Sequence, residues 1–132
     1  VSARAGLRRG LCLAKLELPE EAAPLLVTDG LGDEDDLDLV AAAPDGSFAA
    51  YVGIPYDEQN RWAIFEPVCT HPDHQRKGLG RGLMNEGLLR LWRRGAVDAT
   101  VDTGDMIPAN AFYTAMGFTE AYKGYSWRKQ ID

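Results

Sequence analysis

Apolar residues alternate with polar or small residues along the middle of the chain, and this two-residue period predicts β-strands. A strand is predicted at Asp38–Ala43, ending at the turn Pro44–Gly46, and its hairpin partner at Ser47–Ile54. After a further turn at Pro55–Asn60, a third strand is predicted at Arg61–Thr70. Three consecutive strands joined by short turns predict an antiparallel meander.

The period changes to that of a helix in the second half of the chain. A helix is predicted at Leu79–Arg93, with Gly95 just past its end. A second helix is predicted at Pro108–Met116, with proline near its start and Gly117 after its end. The apolar side of the first helix is expected to contain Leu83, Met84, Leu88, Leu91 and Trp92.

Short strands are predicted around the second helix. Ala99–Thr103 follows Arg61–Thr70 by way of a helical crossover, so these two strands are expected to be parallel. Phe118–Tyr122 and Tyr125–Lys129 are expected to close the chain as a hairpin. The sheet is therefore predicted to be mixed, with mostly antiparallel pairs.

A basic, glycine-rich turn separates the third strand from the first helix. Arg76, Lys77 and Arg81 lie in this turn, and no acidic residue occurs between Asp73 and Glu86. Glycines let backbone N–H groups approach a ligand, and the N-terminus of the following helix adds positive charge. In a chain of net charge -6, this local basic turn predicts a phosphate site, more specifically a pyrophosphate site.

The spacing of the glycines distinguishes the kinds of phosphate site. A dinucleotide-binding G-x-G-x-x-G motif would need its third glycine at Leu83, but Gly82 lies one position earlier. A nucleotide P-loop needs Lys-Ser or Lys-Thr, which the turn lacks. The turn instead fits Gln/Arg-x-x-Gly-x-Gly/Ala, and it resembles the acetyl-CoA pyrophosphate loop of the GNAT superfamily of N-acetyltransferases. The matching residues are Gln75, Arg76, Lys77, Gly78, Leu79 and Gly80.

Two further segments resemble the same family. Glu66–Pro72 resembles its fourth strand, and Pro108–Phe118 resembles its A-x-x-x-Y-x-x-x-G-F helix. The resemblance covers residues 37–129 and implies an α+β fold with a mixed, mostly antiparallel twisted sheet and helices on both faces. It also implies a split between the strands at 61–70 and 99–103, in which the pantetheine arm of acetyl-CoA binds.

Pro67 marks the point at which that split is expected. Proline removes a ladder donor, so it indicates a bulge in this strand, or else an edge strand with no ligand. At a bulge, Val68 and Thr70 would bond the pantetheine arm through their backbone. Met106 stands where the family often has an asparagine, and Asn110 is the candidate substitute. The predicted acetyl-CoA contacts are Val68, Thr70, Gln75, Arg76, Lys77, Gly78, Leu79, Gly80, Arg81 and Asn110.

The resemblance implies direct acetyl transfer to a primary amine, without a covalent enzyme intermediate. Tyr113 matches the family's general acid, because a phenol is protonated at neutral pH and can donate to the leaving thiolate; packing beside Phe112 is the alternative. Glu66 is the candidate base for the ammonium proton, and a carboxylate capping the bulge is its alternative. Asp57 and Glu58 are weaker candidates for the base.

The cysteines and histidines are not expected to be catalytic. No histidine is placed to activate Cys69, which is expected to be a small buried thiol. His71 and His74 are expected on the surface of the charged turn. Cys12 and Cys69 lack metal-ligand spacing, so no metal is expected, and a reducing cytoplasm is the expected compartment.

Length and charge narrow the class of protein. The 132 residues fit one domain, and no apolar run approaches the ~20 residues needed to cross a bilayer. The acidic balance argues against a nucleic-acid partner. It favours a cationic small-molecule acceptor by electrostatic steering, with polyamines, aminoglycosides, amino acids and protein amines all open.

Residues 1–36 are fewer than the family usually has before the meander, where it places a strand and two helices. We therefore expect a reduced or truncated amino-terminal layer, or an excised domain. A short helix is expected at Pro19–Pro24 and an acidic loop at Gly30–Asp36. The sheet edge at Asp38–Ala43 is expected to be uncovered unless residues 1–36 cover it. This predicts a homodimer or a preceding domain. The alternative functions are a catalytically reduced acetyl-CoA sensor and a site for another phosphorylated nucleotide.

Overall fold

The structure is a computed structural model that describes residues 2–6, 26–29 and 37–131 of the chain. In these ranges a short 3-10 helix at Pro72–His74 precedes the first α-helix. The strands and helices are β1 Ser2–Gly6, β2 Leu26–Asp29, β3 Asp38–Ala42, β4 Phe48–Gly53, β5 Tyr56–Asp57, β6 Trp62–Ile64, β7 Val68–Thr70, α1 Leu79–Arg93, β8 Asp98–Asp102, α2 Ile107–Ala115 and β9 Thr119–Tyr122.

The strands form two sheets, and nearly all of their pairings are antiparallel. One sheet has the order β2-β3-β4-β7 and the other the order β5-β6-β8-β1-β9. Among the pairings of the described residues, only β6 with β8 is parallel. The predicted mixed, mostly antiparallel α+β fold is confirmed, and so is the parallel crossover.

The third predicted strand divides between the two sheets. Ile64 is the last residue of β6 and pairs with Thr100 of β8, and the Phe65 amide still donates to the Thr100 carbonyl at 2.8 Å. From Val68 onward the chain pairs with Val52 of β4 in the other sheet. The predicted split between this strand and β8 is therefore confirmed.

A bulge lies at the point of division, as Pro67 predicts. Gly53 faces two residues of the opposite strand: it accepts from the Glu66 amide at 2.9 Å and donates to the Pro67 carbonyl at 3.0 Å. A Cβ at Gly53 would lie 3.0 Å from the Glu66 carbonyl oxygen, which is backbone and has little freedom to move. Glycine therefore permits the close approach of the strands here.

Helix α1 covers the meander sheet and contacts β3, β4 and β7. A Cβ at Gly87 would lie 2.3 Å from Cδ1 of Ile54, so the helix approaches the end of β4 as closely as glycine allows. Trp92 is 38% exposed and lies at the rim rather than on the predicted apolar side. The buried residues of α1 are Leu79, Gly82, Leu83, Met84, Gly87 and Leu91, and each fully buried leucine contributes roughly 1.5–3 kcal/mol.

The predicted closing hairpin is wrong. β9 forms at Thr119–Tyr122, but the residues from 123 to 131 are not in a strand. The strand beside β9 is β1, which pairs with β9 on one side and with β8 on the other. Tyr125 and Trp127 are consequently 84% and 95% exposed.

Of the two alternatives for the edge at β3, the uncovered edge is wrong and coverage by residues 1–36 is confirmed. Leu26–Asp29 pairs with Leu39–Ala42, so β2 occupies that edge. The helix expected at Pro19–Pro24 and the loop expected at Gly30–Asp36 lie outside the described residues. Neither described helix has the length and apolar character needed to span a bilayer.

Candidate active site

A cavity of about 550 Å³ lies where the N-terminus of α1, the strand β7 and the helix α2 face one another. We call it the loop cavity. It brings together the glycine-rich turn and the second helix, which are more than 25 residues apart in the sequence. Its lining residues are Val68, Cys69, Thr70, His74, Gln75, Arg76, Gly78, Leu79, Gly80, Arg81, Pro108, Ala109, Phe112 and Tyr113.

The glycine-rich turn places the N-terminus of α1 at the loop cavity, which its first residues line. Gly78 caps α1 with a φ of 79°, in the left-handed region that favours glycine, and Arg76 has a φ of 64°. The first intrahelical bond runs from the Gly82 amide to the Gly78 carbonyl at 2.9 Å. The amides of residues 79–81 precede this bond and point out of the helix end. Amides at a helix N-terminus, together with the helix dipole, favour a nearby anion such as phosphate.

The turn lies close to α2 and to the end of β7 at Gly80. A Cβ at Gly80 would lie 3.5 Å from the Phe112 ring and 3.8 Å from Oγ1 of Thr70, both ordinary contact distances. Gln75 donates from Nε2 to the Thr70 carbonyl at 3.3 Å, which ties the start of the turn to the end of β7. The turn, the strand and the second helix therefore form three walls of one cavity.

Tyr113 is the buried phenol of the loop cavity, 8% exposed. Its ring lies 5.4 Å from that of Phe112 and 6.1 Å from that of Phe118, and Phe118 packs edge-on against Phe65. These contacts fix α2 against the strand that divides at Glu66. Burial raises the pKa of Tyr113 above its ordinary value of 10.0, so the hydroxyl is a proton donor at neutral pH.

A second cavity, of about 590 Å³, lies at the end of the meander sheet. We call it the carboxylate cavity. Glu66 lines it, and Val68 lines the loop cavity, so the two cavities meet the same strand two residues apart. The Tyr51 hydroxyl donates to Oδ1 of Asp38 at 2.7 Å at this cavity. Its lining residues are Leu37, Asp38, Tyr51, Gly53, Ile54, Pro55, Tyr56, Glu58, Glu66 and Arg94.

The structure brings most of the predicted site residues to one of these two cavities. Lys77 and Asn110 line neither of them. The Asn110 carboxamide accepts a bond from the Thr103 hydroxyl and donates to the Gly104 carbonyl at 3.3 Å, so it fastens the loop that precedes α2. The predicted residues in the loop cavity are Val68, Thr70, Gln75, Arg76, Gly78, Leu79, Gly80, Arg81 and Tyr113.

Sequence reasoning missed Asp38, Tyr51 and Arg94 at the carboxylate cavity. Asp38 and Tyr51 could have been located from the hairpin register. This register pairs Asp38 with Gly53 and so places Asp38 beside the bulge. Of the weaker base candidates, Glu58 lines this cavity, whereas Asp57 accepts bonds from Asn60 in the turn above.

Cys69 is exposed, contrary to the predicted buried thiol. The reason is that β7 is the last strand in the order of its sheet, so its side chains are less covered. His71 is exposed, as expected, and its Nδ1 accepts from the Asp73 amide at 3.2 Å, whereas His74 is only partly exposed and lines the loop cavity. Within the described ranges, no three His, Cys, Asp or Glu side chains cluster in a way that would hold a metal ion.

The match to a known sequence family includes the glycine-rich turn and the second helix. A sequence model of the acetyltransferase (GNAT) family matches residues 9–118. Streptothricin acetyltransferase from Streptomyces lavendulae is 31% identical over 87 residues, which are 65% of this chain and 46% of that protein. The chain therefore spans about half the length of this relative.

Comparison with solved structures supports the fold. A GCN5-related N-acetyltransferase from Sphaerobacter thermophilus superposes with a TM-score of 0.68 at 13% identity, covering 89% of this chain and 47% of that one. The ribosomal-protein-S18-alanine N-acetyltransferase from Escherichia coli gives a TM-score of 0.59 at 21% identity, covering 92% of this chain and 80% of that one. At these identities the likeness is one of fold.

Proposed function

The chain belongs to the acetyltransferase (GNAT) family, and we propose that it transfers an acetyl group from acetyl-CoA to a primary amine. The observation that carries this proposal is the position of the dividing strand between two cavities. Glu66 lines the carboxylate cavity and Val68 the loop cavity, which also contains the phosphate-type turn and Tyr113. One strand segment thus adjoins a place for each of two substrates.

The loop cavity is the proposed acetyl-CoA site. Pyrophosphate would accept hydrogen bonds from the amides of residues 79–81, with Arg76 and Arg81 adding positive charge. The backbone of Val68 and Thr70 would pair with the pantetheine arm. This is possible because β7 is an edge strand of its sheet and does not pair with β8. Lys77 lies in the same turn outside the cavity lining, so its contribution is proposed to be long-range charge alone.

Tyr113 is the proposed general acid. The amine nitrogen forms a bond to the acetyl carbon, and the carbon–sulfur bond then breaks with its electron pair going to sulfur. The Tyr113 hydroxyl supplies the proton to that sulfur. The nitrogen, which is positively charged after it attacks, loses its second proton to water, and water returns a proton to the phenolate. Burial favours the neutral phenol, which keeps this proton available at neutral pH.

Glu66 is the proposed general base. An acceptor amine is mostly an ammonium at neutral pH and must lose a proton before its nitrogen can attack. The Glu66 carboxylate lines the carboxylate cavity next to the bulge and would take this proton directly or through water. Direct attack follows, and no enzyme nucleophile takes part.

The acceptor is proposed to be a small-molecule or protein amine. The similar proteins include a streptothricin acetyltransferase and a ribosomal-protein-S18-alanine N-acetyltransferase, whose acceptors are a small molecule and a protein. We also propose a cytoplasmic location, where acetyl-CoA is available. Association with a second copy or a further domain is proposed as well, supported by the exposed Tyr125 and Trp127 in the segment that follows the edge strand β9.

Calorimetry followed by a turnover assay tests the proposal. We expect acetyl-CoA and CoA to bind more tightly than ATP or NAD, and we expect CoA thiol release with at least one class in an amine panel. Tight acetyl-CoA binding with no thiol release across the panel would favour the sensor function instead. Tighter binding of ATP or NAD would overturn the assignment of the loop cavity.

A further inference from the structure

The carboxylate cavity has more negative than positive side chains. Its lining contains the carboxylates of Asp38, Glu58 and Glu66, and Arg94 is the one cation among the lining residues that the structure describes. A cavity lined mainly by one sign of charge concentrates ligands of the opposite sign. Glu66 is the proposed base and acts on the amine that reacts. The carboxylates of Asp38 and Glu58 can therefore bind parts of the acceptor that do not react.

Asp38 is the better oriented of these two carboxylates. It begins β3, and its Oδ1 accepts a hydrogen bond of 2.7 Å from the hydroxyl of Tyr51 on β4. A hydrogen bond to an ionised oxygen is short and strong, and it restricts the rotation of the carboxylate. The bond leaves the negative charge of Asp38 in place at the cavity wall.

The sheet register sets the separation between Asp38 and Glu66. Asp38 is paired with Gly53, and Gly53 is hydrogen-bonded to Glu66, so the backbones of the two acidic residues lie on opposite sides of β4. Two interstrand spacings place their backbones about 10 Å apart. Asp38 and Glu66 therefore give the cavity two anionic positions rather than one.

We infer that the acceptor is a molecule with two cationic amines, one of which reacts beside Glu66 while Asp38 holds the other. This inference rests on the acetyl transfer proposed above and specifies the acceptor of that site. Asp38 is then a specificity-determining residue, and Tyr51 is a positioning residue that acts through it.

A pair of amines with the same carbon chain tests the inference. Cadaverine carries a second amine that pentylamine lacks, so the ratio of their kcat/KM values reports the second charge. We expect the wild-type protein to favour cadaverine about tenfold, which corresponds to 1.4 kcal/mol. The advantage is expected in KM, because the second amine binds without taking part in the reaction.

Substitutions at Asp38 assign the effect to this carboxylate. Asp38→Asn is expected to reduce the cadaverine advantage to about twofold, and Asp38→Glu, which keeps the charge, to restore part of it. Tyr51→Phe should give an intermediate ratio, since it removes the hydroxyl that orients Asp38. Asp45→Asn is the matched control, because it removes the same charge at the opposite end of the β3–β4 hairpin and Asp45 lines neither cavity. Its ratio should equal that of the wild type.

Equal kcat/KM values for the two amines in the wild-type protein would overturn the inference while leaving acetyl transfer intact. So would equal changes of the ratio in Asp38→Asn and Asp45→Asn. Absence of thiol release with every amine would instead contradict the proposed reaction. In that case, calorimetry of cadaverine and pentylamine with CoA bound tests the inference separately. Tighter binding of cadaverine that is lost in Asp38→Asn would support the inference, and equal binding of the two amines would overturn it.

Discussion

Gly53 and Glu66 are joined by a hydrogen bond of 2.9 Å from the Glu66 amide to the Gly53 carbonyl, at the residue where the strand passes from one sheet to the other. The Gly53 amide bonds to the next residue, Pro67, so two residues are held opposite one. This two-to-one pairing is a β-bulge. It directs the Glu66 side chain toward the carboxylate cavity and separates it from the loop cavity at Val68.

Gly53→Ala is expected to disturb this bulge. The added methyl would lie 3.0 Å from both the Glu66 carbonyl oxygen and the Tyr51 hydroxyl, so the strands must move apart, at a cost of roughly 1–3 kcal/mol in the free energy of unfolding. Denaturant unfolding measures the loss, and the turnover number should fall with it. Gly124→Ala is the control, because a Cβ there meets nothing within 4 Å. An unchanged unfolding midpoint in Gly53→Ala would contradict the tight approach.

Gly80→Ala is expected to weaken acetyl-CoA binding without destabilising the fold. A Cβ at this position meets Phe112 and Thr70 at ordinary contact distances, and alanine favours a helix over glycine by up to about 1 kcal/mol. The methyl nevertheless enters the loop cavity between these two side chains. We expect the Kd for acetyl-CoA to rise about tenfold, or 1.4 kcal/mol, while the thermal midpoint stays equal or rises. Calorimetry showing wild-type affinity would place the ligand elsewhere.

Tyr113→Phe is expected to lower kcat by about a hundredfold, the lower end of what a positioned acid contributes. Phenylalanine keeps the ring contacts with Phe112 and Phe118, so acetyl-CoA affinity should change by less than about twofold. Steady-state kinetics and calorimetry measure the two effects separately. The control is Tyr122→Phe, which removes a phenol that is 56% exposed and outside both cavities. Wild-type turnover in Tyr113→Phe with a good acceptor would remove the acid role.

The free energy of unfolding at alkaline pH tests whether the Tyr113 phenol is buried. Burial raises its pKa above 10.0 in the folded state, so at pH values between the unfolded and folded pKa the folded chain binds more protons than the unfolded chain. The contribution is therefore fully present below the unfolded pKa and is lost as pH rises through the folded pKa. Denaturant unfolding between about pH 9 and pH 11 should show a smaller decline in Tyr113→Phe than in Tyr122→Phe. Equal declines would show that the phenol is not shielded from water.

The sequence predicted the parts of the site whose residues have special backbone requirements. Gly78 and Pro67 are examples: a left-handed φ favours glycine, and proline cannot serve a regular ladder, so both positions could be identified without coordinates. The helices and the meander strands could also be predicted, because burial of one face imposes a helical or a two-residue period on the apolar residues.

The parts that the sequence did not predict depend on contacts between distant segments. Ser2–Gly6 has mostly small residues and no alternating pattern, so nothing local indicated that it would pair with β8 and β9. The bond between Tyr51 and Asp38 depends on hairpin register. The exposure of Cys69 depends on the position of β7 in its sheet.

The place of β1 in its sheet has a consequence for the order of folding. β1 is made before its neighbours β8 and β9, which follow it by about a hundred residues. The meander and α1 have mostly local contacts and can form while the rest of the chain is still being made. The second sheet, in contrast, closes only after Tyr122 has been added, so Ser2–Gly6 cannot complete its pairing with β8 and β9 before then.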